Sequence, residues 1–197
     1  MIKTTDLTKS YGKARGVTGL TLHVPEGSCF GFIGPNGAGK STTIRTILGL
    51  VAPTSGGAEV MGLDCVRDRT AILAQVGYMP SEAMFYPEMR VSEVIRLSAE
   101  LRKRDCRAEA AALCQALELD ARKKIRELSL GNRKKVSIVC AMQHRPRLYV
   151  LDEPTSGLDP LVQRAFWSQV EERRREGATV FLSSHVLYEV QRYCDRA

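Results

Sequence analysis

The chain has 197 residues, of which 44% are apolar, so it can bury one sizeable core and does not require a second. The formal net charge of +7 could attract nucleic acid, but the basic residues form short separate clusters with acids nearby and no aromatic-rich surface, so nucleic acid is not an expected partner. Residues 1–6 lack the apolar core of a signal peptide, and no apolar run approaches the ~18 residues of a membrane span, so we expect any membrane association to come through a partner.

The six cysteines are scattered, with no Cys-x-x-Cys pair and no other spacing typical of a metal cage or a disulfide framework. We therefore expect reduced thiols and a location in the cytosol.

Strand-type patterns dominate the first part of the chain. Residues 20–24 and the apolar run 29–33 predict strands, separated by a turn at 25–27. A glycine-rich loop follows, and residues 42–48 carry apolar side chains at helical spacing until Gly49. The predicted order is therefore strand, loop, helix.

The predicted secondary structure changes twice in the middle of the chain. After a turn-rich break at 53–57, residues 58–61 and 75–78 predict short strands. From residue 92 to about 128 the pattern is helical and rich in charge, which predicts an inserted helical lobe.

Strand-type runs return at 148–151 and 178–182, with a helix between them. Asp159 can cap the start of this helix, Pro160 suits its first turn, and Gly177 suits a left-handed stop. Strands that alternate with helices predict an α/β fold whose mainly parallel sheet has helices on both faces. An antiparallel β region is expected at the N-terminus.

The glycine-rich loop carries a phosphate-binding motif. Residues 34–41, Gly-Pro-Asn-Gly-Ala-Gly-Lys-Ser, satisfy the pattern G-x-x-x-x-G-K-[ST] between a predicted strand and a predicted helix. Small residues let backbone N–H groups point at phosphate oxygens, and the helix N-terminus adds partial positive charge. Lys40 would reach the β- and γ-phosphates, and the Ser41 hydroxyl would ligate Mg²⁺. A glycine-rich turn without a ligand is the alternative, and the flanking elements disfavour it.

Two acids follow the predicted strand 148–151. The carboxyl end of a strand is the edge at which open α/β sheets bind ligands. Asp152 would hold Mg²⁺ through water, and Glu153 would polarise the attacking water as general base. Two acids could also simply begin a loop, but residues 154–159, Pro-Thr-Ser-Gly-Leu-Asp, follow immediately and favour the functional interpretation.

With these motifs in this order, the chain resembles an ABC-type (ATP-binding cassette) ATPase along practically its whole length. The resemblance implies a P-loop NTPase (RecA-like) fold with ATP and Mg²⁺ as ligands. Tyr11 matches the residue on which adenine stacks, although it could be an ordinary strand tyrosine. Ser129 and Gly131, before a helix expected from about Arg133, match the signature that closes on the ATP of the other protomer.

The resemblance also assigns a loop and a switch residue. Residues 156–159 match the loop that contacts its twin across the dimer, and His185 matches the switch histidine at the γ-phosphate. The expected catalytic residues are Glu153, His185 and Lys40. The expected nucleotide-binding residues are Tyr11, Gly34, Pro35, Asn36, Gly37, Ala38, Gly39, Lys40, Ser41, Thr42, Ser129 and Gly131.

The sequence departs from the family pattern at two places. Ser81 stands where the family usually has a glutamine that touches Mg²⁺ and relays the nucleotide state, so Ser81 joins Ser41 and Asp152 as an expected metal contact, and Glu82 could compensate. Leu130 and Asn132 replace the second glycine and the glutamine of the signature. Both variants resemble ATPases of bacterial peptide-antibiotic and multidrug exporters.

The resemblance implies one nucleotide-binding domain, with a core of 1–83 and 136–197, a helical lobe at about 84–135, and a C-terminus shortened relative to the family. It further implies a second ATPase protomer and a membrane-spanning permease at the cytoplasmic face of the membrane. Two alternatives stay open at this point: a soluble ATPase that acts on nucleic acid or the ribosome, and a low-activity nucleotide sensor.

Overall fold

The computed structural model describes residues 1–12 and 14–197. The strands are β1 (Ile2–Tyr11), β2 (Ala14–Val24), β3 (Cys29–Ile33), β4 (Ser55–Val60), β5 (Leu63–Asp64), β6 (Val76–Met79), β7 (Leu148–Asp152) and β8 (Thr179–Ser184). The helices are α1 (Lys40–Ile47), α2 (Arg69–Gln75), α3 (Val91–Glu100), α4 (Arg107–Ala116), α5 (Leu130–Met142), α6 (Pro160–Arg175) and α7 (Leu187–Tyr193), with a short 3-10 helix at Ile125–Glu127.

Two sheets organise these strands. β3, β8, β7 and β6 lie side by side in that order, and every neighbouring pair is parallel. β2, β1, β4 and β5 form a second sheet in which every pair is antiparallel. The parallel sheet places the carboxyl ends of β3, β7 and β8 together at one edge, which is where ligands bind in open α/β sheets.

The alternation of side chains along β7 explains why both faces of the parallel sheet are covered. Leu148 and Val150 belong to a hydrophobic cluster that includes α1 and the antiparallel sheet, whereas Tyr149 and Leu151 belong to a second cluster with α5, α6 and the helical lobe. Successive side chains of a strand point to opposite faces, so a continuous apolar strand must be packed on both. The predicted α/β fold, with its antiparallel N-terminal region, is confirmed.

Several boundaries differ slightly from the predicted ones. The strand expected at 58–61 is β4, which runs from Ser55 to Val60, and the strand expected at 75–78 is β6, one residue later. The helical stretch from 92 to about 128 consists of α3, α4 and the 3-10 helix, joined by non-helical turns. Asp159 caps α6 as predicted, because its carboxylate accepts hydrogen bonds from the backbone N–H groups of Leu161 and Val162.

Among the described residues, no helix is long and apolar enough to cross a membrane.

Candidate functional site at the carboxyl edge of the parallel sheet

The phosphate loop joins β3 to α1 and bends through left-handed glycines. Gly37 has a φ of 79° and Gly39 a φ of 92°, a region that residues with a Cβ rarely adopt. A Cβ on Gly39 would also lie 2.8 Å from the carbonyl oxygen of Gly16, so glycine is required there for space as well as for conformation. The glycines therefore allow the turn that leads into the N-terminus of α1, where the first backbone N–H groups of a helix have no partner within the helix.

Lys40 opens α1 and folds back over this loop. Its ammonium donates to the carbonyl oxygens of Gly34, at 2.6 Å, and Pro35, at 3.1 Å, and the side chain is only 7% exposed. Oε1 of Glu153 lies 3.1 Å from the same nitrogen. The lysine is thus held at the mouth of the loop by two carbonyls and one carboxylate.

A cavity of about 460 Å³ lies directly against the loop. Its lining includes Ser81, which follows β6, and Glu153, which follows β7. The remaining lining residues belong to the loop and to the first turn of α1: Asn36, Gly37, Gly39, Lys40, Ser41 and Thr42. Polar groups from separate parts of the chain therefore meet in one concave space.

Asp152 ends β7 and is completely buried. Its Oδ1 accepts a 2.6 Å hydrogen bond from the hydroxyl of Ser183, while its Oδ2 has no hydrogen-bond partner among the described residues. A buried carboxylate oxygen without a partner carries a large desolvation cost, so it marks a position suited to a cation or an ordered water.

Glu153 adopts a left-handed backbone conformation with a φ of 50°, which is uncommon for a residue other than glycine. This conformation directs its carboxylate between two basic side chains. Oε1 faces Lys40, and Oε2 lies 2.6 Å from Nδ1 of His185. The structure therefore places the carboxylate of Glu153 in contact with both Lys40 and His185, and these are the three residues expected to act in catalysis.

His185 follows β8, and its side chain is 42% exposed. It borders a second cavity of about 510 Å³ together with Glu153 and Asn36. Ser81 lines this cavity as well as the smaller one, so it lies between them.

Tyr11 lies apart from these groups, at the end of β1. Its side chain is 46% exposed, and the ammonium of Lys9 lies 5.2 Å from the centre of its ring. An exposed aromatic face of this kind can stack on a planar base.

Ser129 and Gly131 do not line the 460 Å³ cavity. The helix expected from about Arg133 begins earlier, at Leu130, because Ser129 acts as its N-cap and its hydroxyl accepts a 3.3 Å hydrogen bond from the N–H of Asn132. Gly131 therefore lies inside the first turn of α5. A Cβ at this position would lie 3.1 Å from the carbonyl oxygen of Gly157.

Lys134 joins α5 to the loop at 156–159, because its ammonium donates to the carbonyl oxygen of Ser156 at 2.8 Å. Burial lowers the pKa of this lysine, while the carboxylates of Glu153 and Asp152 act in the opposite direction.

Sequence reasoning missed one residue of the site. The sequence motifs do not single out Ser183, yet its hydroxyl contacts both Asp152 and Glu153. The available signal was a pair of serines that follows the apolar run 180–182 of a buried strand, at the sheet edge where the two acids lie.

A parallel sheet with a strand–phosphate loop–helix unit at its carboxyl edge defines a P-loop nucleotide-binding protein. Residues 17–156 match the family described as ABC transporter. The chain belongs to this family, which confirms the resemblance inferred from the motifs.

Two curated relatives carry names from transport. The chain is 37% identical over 202 residues to the bacitracin transport ATP-binding protein BcrA of Bacillus licheniformis, covering 99% of this chain and 65% of BcrA. It is 34% identical over 201 residues to YbhF of Escherichia coli strain K12, a probable multidrug ABC transporter ATP-binding protein, covering 100% of this chain and 35% of YbhF. The chain thus spans only part of these relatives.

A solved structure described as the ATP binding subunit of an ABC transporter superimposes with a TM-score of 0.90 at 34% identity, covering 98% of this chain and 83% of that one. Nucleotide binding is therefore supported by family membership as well as by the phosphate loop.

Proposed function

We propose that the chain binds and hydrolyses ATP as one of two protomers, and that the hydrolysis drives a bacterial exporter through a membrane-spanning permease. The observation that carries the proposal is the contact of Glu153 with both Lys40 and His185 beside the phosphate loop. In this proposal the chain is one nucleotide-binding domain, with a core of 1–83 and 136–197 and a helical lobe at about 84–135.

In the proposed reaction, ATP enters the 460 Å³ cavity with its adenine on Tyr11 and its phosphates on the loop. Lys40 exchanges its contacts with the carbonyls of Gly34 and Pro35 for the β- and γ-phosphates, which are better partners for an ammonium. The binding residues would be Gly34, Pro35, Asn36, Gly37, Ala38, Gly39, Lys40, Ser41 and Thr42.

Glu153 would then accept a proton from the attacking water. Its carboxylate is only 14% exposed, and its contact with His185 keeps Oε2 oriented. As the water oxygen bonds to the γ-phosphorus, the bond from that phosphorus to the β–γ bridging oxygen would break and ADP would leave. Lys40 and His185 are placed to stabilise the negative charge of the transferred phosphoryl group. The two basic groups would thereby act on opposite sides of the general base.

The donors present fit a Mg²⁺ ion. Asp152 offers a buried oxygen without a partner, and the hydroxyls of Ser41 and Ser81 line the cavity. Within the described part of the chain no cluster of three or more His, Cys, Asp or Glu could hold a metal by itself. Mg²⁺ commonly uses one or two carboxylates together with substrate phosphates, so these three residues suffice. When bound, the ion would supply positive charge that offsets the charge of the phosphates.

The dimer belongs to the proposal because the signature does not reach its own phosphate loop cavity. Ser129 and Gly131 open α5 but do not line that cavity, so their N–H groups and the helix N-terminus would face the ATP of a second protomer. Closure on ATP and reopening after hydrolysis would bias the conformation of the permease, because ATP contacts differ between the two states. The proposed location is the cytoplasmic face of the membrane.

Glu153→Gln tests this proposal in the purified chain. We expect loss of phosphate release by about 10²- to 10⁴-fold, the usual contribution of a general base, with ATP binding retained. Size-exclusion chromatography with ATP and Mg²⁺ should show a larger dimer fraction than for the wild type. Glu171→Gln is the control and should hydrolyse ATP normally, because Glu171 is a half-exposed residue on α6 that pairs with Arg175.

Turnover of Glu153→Gln near the wild-type rate would remove Glu153 from its proposed role. The dimer is tested separately with the wild type. Phosphate release should rise with the square of protein concentration at low concentration, and a strictly linear dependence would exclude an obligatory two-protomer site.

A further inference from the structure

Ser183 lies on β8, a central strand of the parallel sheet, one residue before the carboxyl end of that strand. It is in register with Asp152 on β7 and with Phe32 on β3, and it is completely buried. Residues in register on neighbouring parallel strands point to the same face, so the side chain of Ser183 stands beside that of Asp152.

The hydroxyl of Ser183 uses both of its hydrogen-bonding capacities on the acidic pair. It donates its proton to Oδ1 of Asp152 at 2.6 Å, and it accepts the backbone N–H of Glu153 at 3.0 Å. A serine hydroxyl has one proton and two lone pairs, so these bonds can exist together. One buried atom therefore holds the side chain of one acid and the backbone of the next.

The first bond determines which oxygen of Asp152 is available. Because Oδ1 is occupied by Ser183, Oδ2 is the oxygen left without a partner among the described residues. Ser183 lines neither the 460 Å³ nor the 510 Å³ cavity, and yet it decides which oxygen of Asp152 can bind a ligand.

The second bond supports the unusual backbone of Glu153. The N–H of this residue is also 3.2 Å from the carbonyl oxygen of Ser183, so two acceptors from a single residue hold it. With a φ of 50°, Glu153 adopts a conformation that persists only where the surroundings impose it. That conformation directs the carboxylate towards Lys40 and His185.

We infer that Ser183 is a positioning residue for ATP hydrolysis: its hydroxyl orients Asp152 towards the metal and fixes Glu153 between Lys40 and His185. This inference rests on the proposed function. It predicts that loss of the hydroxyl leaves ATP on the phosphate loop but misaligns the acids.

A buried hydroxyl can also be purely structural, and the same strand supplies an example. Thr179, at the start of β8, is completely buried and accepts the N–H of Gly27 at 2.8 Å. It contacts none of the proposed site residues through this hydroxyl. Thr179→Val removes a buried hydroxyl from β8 with almost no change of volume, and it is therefore the matched control.

The experiment compares Ser183→Ala, Ser183→Thr and Thr179→Val with the wild type. For each variant, kcat and KM for ATP are measured, together with the thermal unfolding midpoint. Binding of Mn²⁺, as a spectroscopic substitute for Mg²⁺, is measured by electron paramagnetic resonance in the presence of ADP, which does not depend on turnover.

We expect Ser183→Ala to lower kcat and to weaken Mn²⁺ binding, each by about 10- to 100-fold, as for other residues that orient metal ligands. KM for ATP should change less than kcat, because the phosphate loop is untouched. Ser183→Thr keeps the hydroxyl and should recover most of both losses. Thr179→Val should lower the unfolding midpoint while it keeps kcat and Mn²⁺ affinity.

The inference is overturned if Ser183→Ala keeps kcat and Mn²⁺ affinity within about twofold of the wild type, or if Thr179→Val loses them equally. A wild-type chain without turnover would contradict the proposed function instead. In that case the Mn²⁺ comparison between Ser183→Ala and Thr179→Val still decides whether Ser183 orients Asp152.

Discussion

Oε2 of Glu153 lies 2.6 Å from Nδ1 of His185, although the two residues are 32 positions apart in the sequence. The contact exists because β7 and β8 are neighbours in the parallel sheet and each residue comes directly after its strand. In the proposed mechanism Glu153 is the general base. A base held by a neighbouring side chain keeps one orientation, so Glu153 and His185 should behave as a unit.

His185→Ala should therefore reduce kcat by about 10²-fold or more, because the carboxylate loses its orienting partner and the γ-phosphate loses a contact. Residues that act as a unit have non-additive effects. The double variant His185→Ala with Glu153→Gln should be no slower than Glu153→Gln alone. Steady-state phosphate release measures all three, and effects that simply multiply would show that the residues act independently.

Ser81 is expected to contribute to Mg²⁺ binding from its position between the two cavities. Ser81→Ala should raise the Mg²⁺ concentration for half-maximal ATPase activity by about tenfold, because a hydroxyl near the ion is lost. Titration of activity with Mg²⁺ at fixed ATP measures this. Glu82→Gln is the comparison, and a shift produced by Glu82→Gln but not by Ser81→Ala would assign the contact to Glu82.

A buried ion pair joins α4 to α6. Arg173 on α6 is 2% exposed and pairs with Glu109 on α4, and Glu172 and Glu176 lie 3.3 and 3.4 Å from its other terminal nitrogen. Glu109→Gln removes the carboxylate that α4 contributes to this cluster and leaves the guanidinium with Glu172 on α6 and with Glu176, which follows that helix. We expect a loss of about 2 kcal/mol in the free energy of unfolding, below the usual cost of breaking a buried pair.

Glu88→Gln is the matched control for that measurement. Glu88 pairs with Lys124 and Arg126 at the protein surface and is 66% exposed, so its loss should lower the free energy of unfolding much less than the loss of Glu109. Urea unfolding of both variants gives the comparison. Equal losses would show that the Arg173 cluster contributes no more than an ordinary surface pair.

Stability should also depend on pH through His144, which is 4% exposed. Burial lowers its pKa from 6.5 to about 4, and the charges of Arg102 and Arg104 act in the same direction. Between these values the unfolded chain binds a proton that the folded chain does not, so stability falls as the pH falls from about 6.5 towards 4. Above pH 6.5 this contribution is fully present.

His144→Gln should reduce the difference in unfolding midpoint between pH 7.5 and pH 5, whatever it does to stability at either pH alone. His23→Gln is the control because His23 is exposed, and it should leave that difference unchanged. Urea unfolding at the two pH values measures both variants. An unchanged difference for His144→Gln would place the acid sensitivity in other groups.

Features that depend only on residues adjacent in the sequence were predictable from the sequence. The phosphate loop was recognised because its glycines, Lys40 and Ser41 are contiguous, and the start of α6 because Asp159 and Pro160 form a local cap. Helix boundaries were less predictable where a side chain accepts a hydrogen bond from the backbone and caps the helix. Ser129 caps α5 and moves its start from the expected position near Arg133 to Leu130.

The sequence by itself determined which chemistry is present, because backbone conformation and hydrogen-bonding capacity within a short motif are local properties. Only the tertiary structure decided how the motifs meet. Strand order in the parallel sheet places β8 between β3 and β7, and this brings Ser183 beside Asp152 and brings His185 to Glu153. No spacing in the sequence encodes these contacts, since they follow from packing and register between strands far apart along the chain.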